Sequence, residues 1–81
     1  MQIENDIKEF IAKQFLFSDE GYPYEDDTSF LQEGIIDSLG VMELVTFVQD
    51  TYRIKVDPAE VTPEHFDSVT KLSAFVKAKA T

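Results

Sequence analysis

The chain has few residues that could do chemistry unaided. His65 is its only histidine, and it has no cysteine. A metal site needs several nitrogen, sulfur or oxygen ligands, and an activated nucleophile needs a base beside it. A single imidazole supplies neither of these. We therefore interpret His65 as a surface or helix-capping residue.

Acidic residues are abundant, so a calcium loop is worth testing. The twelve-residue calcium loop requires glycine at its sixth position. Loops starting at Asp19 or Asp26 place Tyr24 or Leu31 there, and neither fits. The sequence also contains no glycine-rich loop of the kind that cradles phosphate. The acids are interpreted as a solvated loop, no metal is predicted, and an enzyme acting alone is not expected.

Ser38 is the residue whose position allows chemistry. Segment 34–44, Gly-Ile-Ile-Asp-Ser-Leu-Gly-Val-Met-Glu-Leu, leads this serine into the first turn of a helix. Free backbone N–H groups and the positive end of the helix dipole would stabilise a phosphodiester on its hydroxyl. An ordinary helix cap, made by Asp37 or Ser38, explains the same residues. Both interpretations stay open on this segment alone.

The elements that position Ser38 follow from apolar periodicity. Spacings of three and four between Ile3 and Phe15 predict a first helix over about residues 2–16. The periodicity fails from 18 to 36, which predicts a long loop with a turn of helix near 29–31. The apolar residues in and beside this loop are expected to pin it across the bundle: Phe17, Tyr22, Tyr24, Phe30, Leu31, Ile35 and Ile36.

The helix after the loop has two different faces. A stripe about 100° wide predicts its core side, and this stripe contains Val41, Leu44, Val45, Val48 and Tyr52. The opposite side must meet water or a partner, and it contains Leu39, Met42, Glu43, Thr46 and Asp50. We call these five residues the partner face.

The remaining segments also predict helix. Asp57-Pro58-Ala59-Glu60 and Thr62-Pro63-Glu64 are typical helix starts, so a short third helix, broken into two turns, is expected between 58 and 66. Ser68 is expected to cap a last helix with a buried stripe made of Val69, Leu72, Phe75 and Val76. The predicted fold is all-α: a four-helix bundle of three main helices plus a short third helix, with a long loop between helices one and two.

Composition narrows the classes of partner. Sixteen acidic against seven basic residues give a net charge of -9, which repels nucleic acid and anionic membranes. No apolar stretch approaches a membrane span, and the absence of cysteine fits a reducing cytoplasm. We expect one domain over 1–81, acting as a cytoplasmic monomer.

The context of Ser38 resembles a known family. Asp37-Ser38-Leu39 followed by Val41-Met42-Glu43-Leu44 is similar to the phosphopantetheine-attachment motif of acyl carrier proteins. Phe30-Leu31-Gln32-Glu33-Gly34 before the motif, the acidic charge and the four helices also resemble that family, over nearly the whole chain.

The resemblance implies a function without catalysis. Ser38 would carry a covalent 4'-phosphopantetheine arm, with Asp37 and Leu39 beside it, installed from coenzyme A by a phosphopantetheinyl transferase. Acyl or aminoacyl cargo would be loaded by a ligase as a thioester and presented to downstream acyl-processing enzymes. The partner face would dock these enzymes, with its acids steering their basic surfaces.

Gly40 departs from the commonest form of the motif, because fatty-acid-synthesis carriers usually have an acidic residue there. The Asp-Ser-Leu-Gly form and segment 62–69 are more similar to stand-alone aminoacyl carriers, including the D-alanyl type, or to specialised acyl carriers. Gly40 would either allow an enzyme loop to approach the arm or simply be tolerated in the helix.

The alternative function is an unmodified acidic helical adaptor. In that case Leu39, Met42 and Phe47 would form a docking patch on the exposed face of helix two, and Ser38 would only cap the helix.

Overall fold

The computed structural model describes residues 3–37 and 39–80 and is all-helical over these ranges. In chain order its elements are α1 (Ile3–Gln14), α2 (Gly40–Tyr52), a 3₁₀ turn (Pro58–Glu60), α3 (Pro63–Phe66) and α4 (Val69–Ala80). The described residues contain no strand. The predicted four-helix architecture, with a short broken third element and a long first loop, is confirmed.

α1 ends two residues earlier than its periodicity predicts. The Leu16 N–H reaches the Ile11 carbonyl at 3.2 Å and the Ser18 N–H reaches the Ala12 carbonyl at 2.9 Å, so the regular spacing of hydrogen bonds is lost. Phe17 follows with a φ of 50°, in the left-handed region that stops a right-handed helix. Its side chain is 85% exposed. The expectation that Phe17 pins the loop was therefore wrong.

The long loop is held by fewer apolar residues than expected. Phe30, Ile35 and Ile36 are buried in the core, which confirms that part of the prediction. Tyr22 packs against the core while partly buried, whereas Tyr24 and Leu31 are exposed and do not pin the loop. The helical turn near 29–31 is present, because the Glu33 N–H bonds to the Ser29 carbonyl at 3.1 Å. Around this tight turn only one side can face the core.

Asp67, between α3 and α4, fastens the loop from the outside. Its carbonyl accepts the Phe30 N–H at 2.8 Å, and its carboxylate accepts the Leu31 N–H at 3.0 Å. The same carboxylate accepts the Ser29 hydroxyl at 2.5 Å. Three hydrogen bonds to one residue fix the loop against the α3–α4 junction, and the loop then runs to the start of α2.

α2 presents the two faces that its periodicity predicts. Leu44, Val45 and Val48 are buried, and Val41 and Tyr52 are partly buried against the same core. The helix ends at Tyr52, and the next residue, Arg53, has a φ of 57°. The segment that follows turns back onto α2, since the Val56 N–H donates to the Gln49 side chain at 3.0 Å.

α4 is the central packing element and contacts each of the other three helices. The Ser68 hydroxyl oxygen accepts the Lys71 N–H at 3.0 Å, so the predicted cap is confirmed. The predicted stripe is also buried, and it consists of Val69, Leu72, Phe75 and Val76. Glu60 connects the 3₁₀ turn to this helix through a salt bridge with Lys79. The hydrogen bonds that the Glu60 carboxylate accepts from Lys79 and from the Asp57 N–H lower its pKa.

Candidate functional site

The start of α2 is held between two buried positions. Ile36 is 1% exposed and Gly40 is buried, whereas Asp37 and Leu39 between them are exposed. Leu39 has 81% of its surface in solvent. Ser38, the predicted attachment residue, lies outside the described residues. Its two sequence neighbours are exposed, and the residues beyond them, Ile36 and Gly40, are buried.

Asp37 caps the helix. Its carboxylate accepts the Gly40 N–H at 2.7 Å, and its carbonyl accepts the Val41 N–H at 3.1 Å. These are the bonds of a helix N-cap, so the turn that leads into α2 already begins at Asp37. The capping interpretation is confirmed for this residue. The predicted role of Asp37 beside a cofactor stays a prediction.

We expect Asp37→Ala to lower the free energy of unfolding by about 1 kcal/mol, because the Gly40 N–H loses its acceptor. Asp37→Asn should leave stability nearly unchanged, since an asparagine oxygen caps about as well. Urea unfolding of both variants measures the difference. Equal losses in the two variants would show that the negative charge, and not the cap, stabilises this helix start.

Gly40 is required by the packing inside the chain. A Cβ at this position would lie 2.8 Å from Phe15 Cε1 and 2.9 Å from Ile36 Cγ2, closer than real side chains approach. Ile36 is buried and branched at Cβ, so it cannot move aside cheaply. The glycine lets α2 begin against the end of α1. The sequence suggested either approach of an enzyme loop or simple tolerance of the glycine in the helix. The contacts indicate a third explanation that the sequence analysis did not include, which is that internal packing leaves no room for a Cβ.

We expect Gly40→Ala to destabilise the protein despite the better helix propensity of alanine. Overpacking costs about 1–3 kcal/mol and propensity returns at most about 1 kcal/mol. A net loss of about 1 kcal/mol corresponds to a fall in melting temperature of about 4–8 °C. Thermal unfolding followed by circular dichroism tests this, with Thr51→Ala, an exposed position of the same helix, as the control. A rise in melting temperature would contradict it.

The partner face is exposed over its whole length. Leu39, Met42, Glu43, Thr46 and Asp50 all face solvent, and Met42 is 57% exposed. The Thr46 hydroxyl donates to the Met42 carbonyl at 3.1 Å, so it is turned back onto the helix. Neither Glu43 nor Asp50 forms a salt bridge with any cation of the described residues. The exposure agrees with the sequence; the docking role stays a prediction.

His65 differs from the sequence interpretation in one respect. Its ring packs against Phe75 with centroids 4.8 Å apart, and the residue is only partly exposed. It is thus a packing residue of α3 more than a surface residue. Residues 3–37 and 39–80 contain no group of three or more His, Cys, Asp or Glu side chains that could hold a metal ion.

Two features of the site were missed by sequence reasoning. One is the fastening of the loop by Asp67, whose partners lie 36 and 38 residues away. The other is the pairing of Phe10 on α1 with Phe47 on α2, whose rings stack with centroids 4.2 Å apart and 15° between their planes. No local pattern connects residues at such separations, so the linear sequence carried no signal for either.

Comparison with known proteins decides which class of function this geometry serves. A family model described as "Phosphopantetheine attachment site" matches residues 6–76. The chain belongs to this family of carrier proteins. The family resemblance and the carrier class inferred from the sequence are confirmed. The unmodified adaptor is set aside, because the family is defined by its attached arm.

Individual relatives support the same assignment. The chain is 31% identical over 72 residues to the "D-alanyl carrier protein" of Streptococcus pyogenes serotype M5 (strain Manfredo). The matched region covers 89% of this chain and 87% of that protein. It is 32% identical over 53 residues to the "D-alanyl carrier protein" of Abiotrophia defectiva, covering 65% of this chain and 67% of that protein.

Family membership has direct consequences. The protein is a carrier and not itself an enzyme, and it bears a covalent 4'-phosphopantetheine on a serine. Carriers of this kind work with a transferase that installs the arm and with a ligase that loads it. Among the described residues, no helix is both long enough and apolar enough to cross a membrane.

Proposed function

We propose that Ser38 carries the 4'-phosphopantetheine arm and that the carrier holds a D-alanyl group on it for transfer between enzymes. The observation that supports the site is the exposure of the two residues that flank Ser38 in the sequence. Asp37 and Leu39, on either side of Ser38, both face solvent at the start of α2. A modifying enzyme therefore has access to the segment that contains the family's motif.

The other serines of the chain are poorly suited to carry an arm. Ser68 and Ser73 are buried, at 2% and 3% exposure. The Ser29 hydroxyl donates a hydrogen bond to Asp67 and accepts one from the Gln32 N–H at 3.1 Å, so it is already engaged both as donor and as acceptor. Ser18 is partly exposed, and it follows the end of α1 in a segment without the motif. Of the five serines in the chain, Ser38 is the best candidate.

The local structure suits a phosphodiester. The positive end of the α2 dipole favours a negative charge at the start of the helix, where the phosphate would be attached. The arm, when attached, supplies a thiol that the cysteine-free chain lacks, and the thiol holds cargo as a thioester. The protein's own residues fix the start of α2: Asp37 caps the helix, and Ile36 and Gly40 are buried.

The cargo proposal rests on the relatives and on charge. The relatives named above are D-alanyl carrier proteins, and the chain shares with them most of its length. An aminoacyl thioester carries an ammonium group, which the net charge of -9 attracts. The apolar cleft next to α2 is a poor place for it, because an unpaired charge loses its hydration there. This cleft has a volume of about 170 Å³ and lies among Phe30, Val41 and Phe66.

The partners in this proposal are a phosphopantetheinyl transferase, a ligase that loads the amino acid and the enzymes that receive it. They dock on the partner face, where Leu39 and Met42 supply apolar contact and Glu43 and Asp50 attract basic side chains. The carrier acts as a single domain over 1–81 and as a monomer. We place it in the cytoplasm, in keeping with the absence of cysteine.

Two measurements test this proposal in sequence. The purified protein is first incubated with coenzyme A, Mg²⁺ and a promiscuous phosphopantetheinyl transferase, and its intact mass should rise by one arm. The protein that has received the arm is then incubated with D-alanine, L-alanine or a short fatty acid, in the presence of a D-alanine-activating ligase and a fatty-acid-activating ligase. We expect D-alanine to be the preferred cargo. If only the fatty acid is loaded, the proposal that the cargo is D-alanine is wrong. If the protein gains no arm, the proposed carrier function is wrong.

A further inference from the structure

An open groove runs between α1 and α2 and includes four of the five residues of the partner face. It has a volume of about 530 Å³. Its lining comes from both helices: Phe10 and Gln14 of α1, and Met42, Glu43, Thr46, Phe47, Asp50 and Thr51 of α2. A second, smaller part continues along α1 past Asp6 and Glu9 and shares Phe10, Gln14, Phe47 and Thr51 with the first. We call the two parts together the α1–α2 groove.

The floor of this groove is aromatic. Phe10 and Phe47 stack face to face across the two helices, and Phe15 meets Phe10 edge-on with centroids 6.1 Å apart. Phe10 and Phe47 are only partly buried, and Met42 beside them is 57% exposed. Aromatic rings and methionine left open to solvent in a concave surface are typical of a binding site.

The rims of the groove are acidic. Glu43 and Asp50 stand on the α2 side seven residues apart, which is two helical turns or about 10.5 Å. Neither forms a salt bridge within the described residues. On the α1 side the only cation of the lining is Lys13, and Glu9 already pairs with it at 2.8 Å. The uncompensated charge of the groove is therefore negative.

The two helices that form the groove are held at its far end by a polar contact. The Tyr52 hydroxyl of α2 donates to the Asp6 carboxylate of α1 at 2.9 Å. Burial and this hydrogen bond raise the pKa of Tyr52, so the hydroxyl keeps its proton and the contact persists at neutral pH. The groove is thus a formed feature that a partner can enter without rearranging the bundle.

We propose that the α1–α2 groove binds a basic amphipathic helix of a partner enzyme, so that α1 takes part in docking together with α2. An apolar side chain of that helix covers the Phe10–Phe47 stack, and lysines or arginines two turns apart reach Glu43 and Asp50. Helix-in-groove binding uses this combination of an apolar stripe and flanking charges. The occupant follows from charge complementarity with the two unpaired carboxylates. The inference rests on the proposed carrier function only for the identity of the partner as an enzyme of the loading cycle.

Gln14 gives a clean test because it is exposed, lies on α1 and is outside the partner face. The probe is a synthetic helical peptide with one leucine stripe and lysines seven residues apart, titrated into the isotopically labelled protein and followed by NMR. We expect the largest shifts at Phe10, Phe47 and Thr51. Gln14→Lys should weaken binding by about threefold, in the range of a single exposed charge pair, and Gln14→Glu should not weaken it.

A matched control separates the groove from the overall charge. Ala74→Lys adds the same charge at an exposed position of α4, outside the groove lining, and should change binding less than Gln14→Lys. The contrast should shrink at about 1 M salt, where the Debye length is about 3 Å. The proposed groove would be wrong if Gln14→Lys and Ala74→Lys weakened peptide binding equally, or if the NMR shifts were largest in α3 and α4. A peptide with glutamates for lysines that binds equally well would do the same.

Peptide binding to the groove can be measured independently of attachment of the arm. It is run on the protein with and without the arm, and circular dichroism confirms that each variant is folded. If the wild-type protein accepts no arm but the peptide still binds in the groove, the carrier function fails and the groove stands. If the arm is accepted but the peptide binds elsewhere, the groove fails and the carrier function stands.

Discussion

Ser38→Ala protein should gain no phosphopantetheine when it is incubated with coenzyme A, Mg²⁺ and a transferase that modifies the wild type fully. The arm is attached through a hydroxyl oxygen, and alanine has none. The remaining serines are buried, engaged in hydrogen bonds or outside the motif, so none is expected to substitute. Intact-mass spectrometry distinguishes the two outcomes completely, because the expected change is from one arm to none.

Two variants show whether the effect is specific to this serine. Ser29→Ala removes a hydroxyl that holds the loop to Asp67, and Ser18→Ala removes one at the end of α1. Both proteins should still accept one arm. Ser38→Ala should retain the helical circular dichroism of the wild type, because the cap at the start of α2 comes from Asp37. A gain of mass by Ser38→Ala would place the attachment on another residue.

Phe30→Ala should cause the largest loss of stability among single changes in the loop, about 3–5 kcal/mol. The Phe30 ring is 1% exposed, and its backbone carbonyl accepts the N–H groups of Ile35 and Ile36. Truncation leaves a cavity at the point where the loop enters the core. For a chain of 81 residues the total stability is about 4–12 kcal/mol, so this variant should be close to unfolded at 37 °C.

The neighbouring residue provides the control for this prediction. Leu31 is 47% exposed, and Leu31→Ala should cost less than about 1 kcal/mol. Urea unfolding measures both variants against the wild type. Similar small losses in the two would show that the loop contributes little to the core. If Phe30→Ala also slows attachment of the arm, stabilising the fold with an osmolyte should restore it, since the change acts on folding and not on the site.

The local elements could be predicted from the sequence because their signals lie within a few residues of one another. Ser68 caps α4 three residues ahead of the N–H that it accepts, and the α2 stripe repeats every three or four positions. Proline and acidic residues likewise marked the 3₁₀ turn and α3. These interactions close within one or two helical turns, so a linear pattern contains them. The motif around Ser38 is also contiguous, which is why the family could be inferred.

The site contains features that follow from local helical geometry and features that depend on tertiary packing. The exposure of Leu39 and Met42 followed from helical geometry alone. The purpose of Gly40 did not, because the atoms that forbid a Cβ belong to Phe15 and Ile36, which reach it only when α1 and the loop are packed. A glycine in a helix costs stability in isolation, and here its closest contact is Phe15, which lies 25 residues earlier in the chain.

The amino-acid sequence by itself determined the helices, their caps, the two faces of α2 and the carrier family. Tertiary structure alone decided which loop residues enter the core, how Asp67 fastens that loop and how Phe10 and Phe47 form the floor of the α1–α2 groove. The physical reason is the distance along the chain: helical periodicity is encoded every few residues, whereas these contacts join residues about 36 positions apart and exist only after the helices have packed.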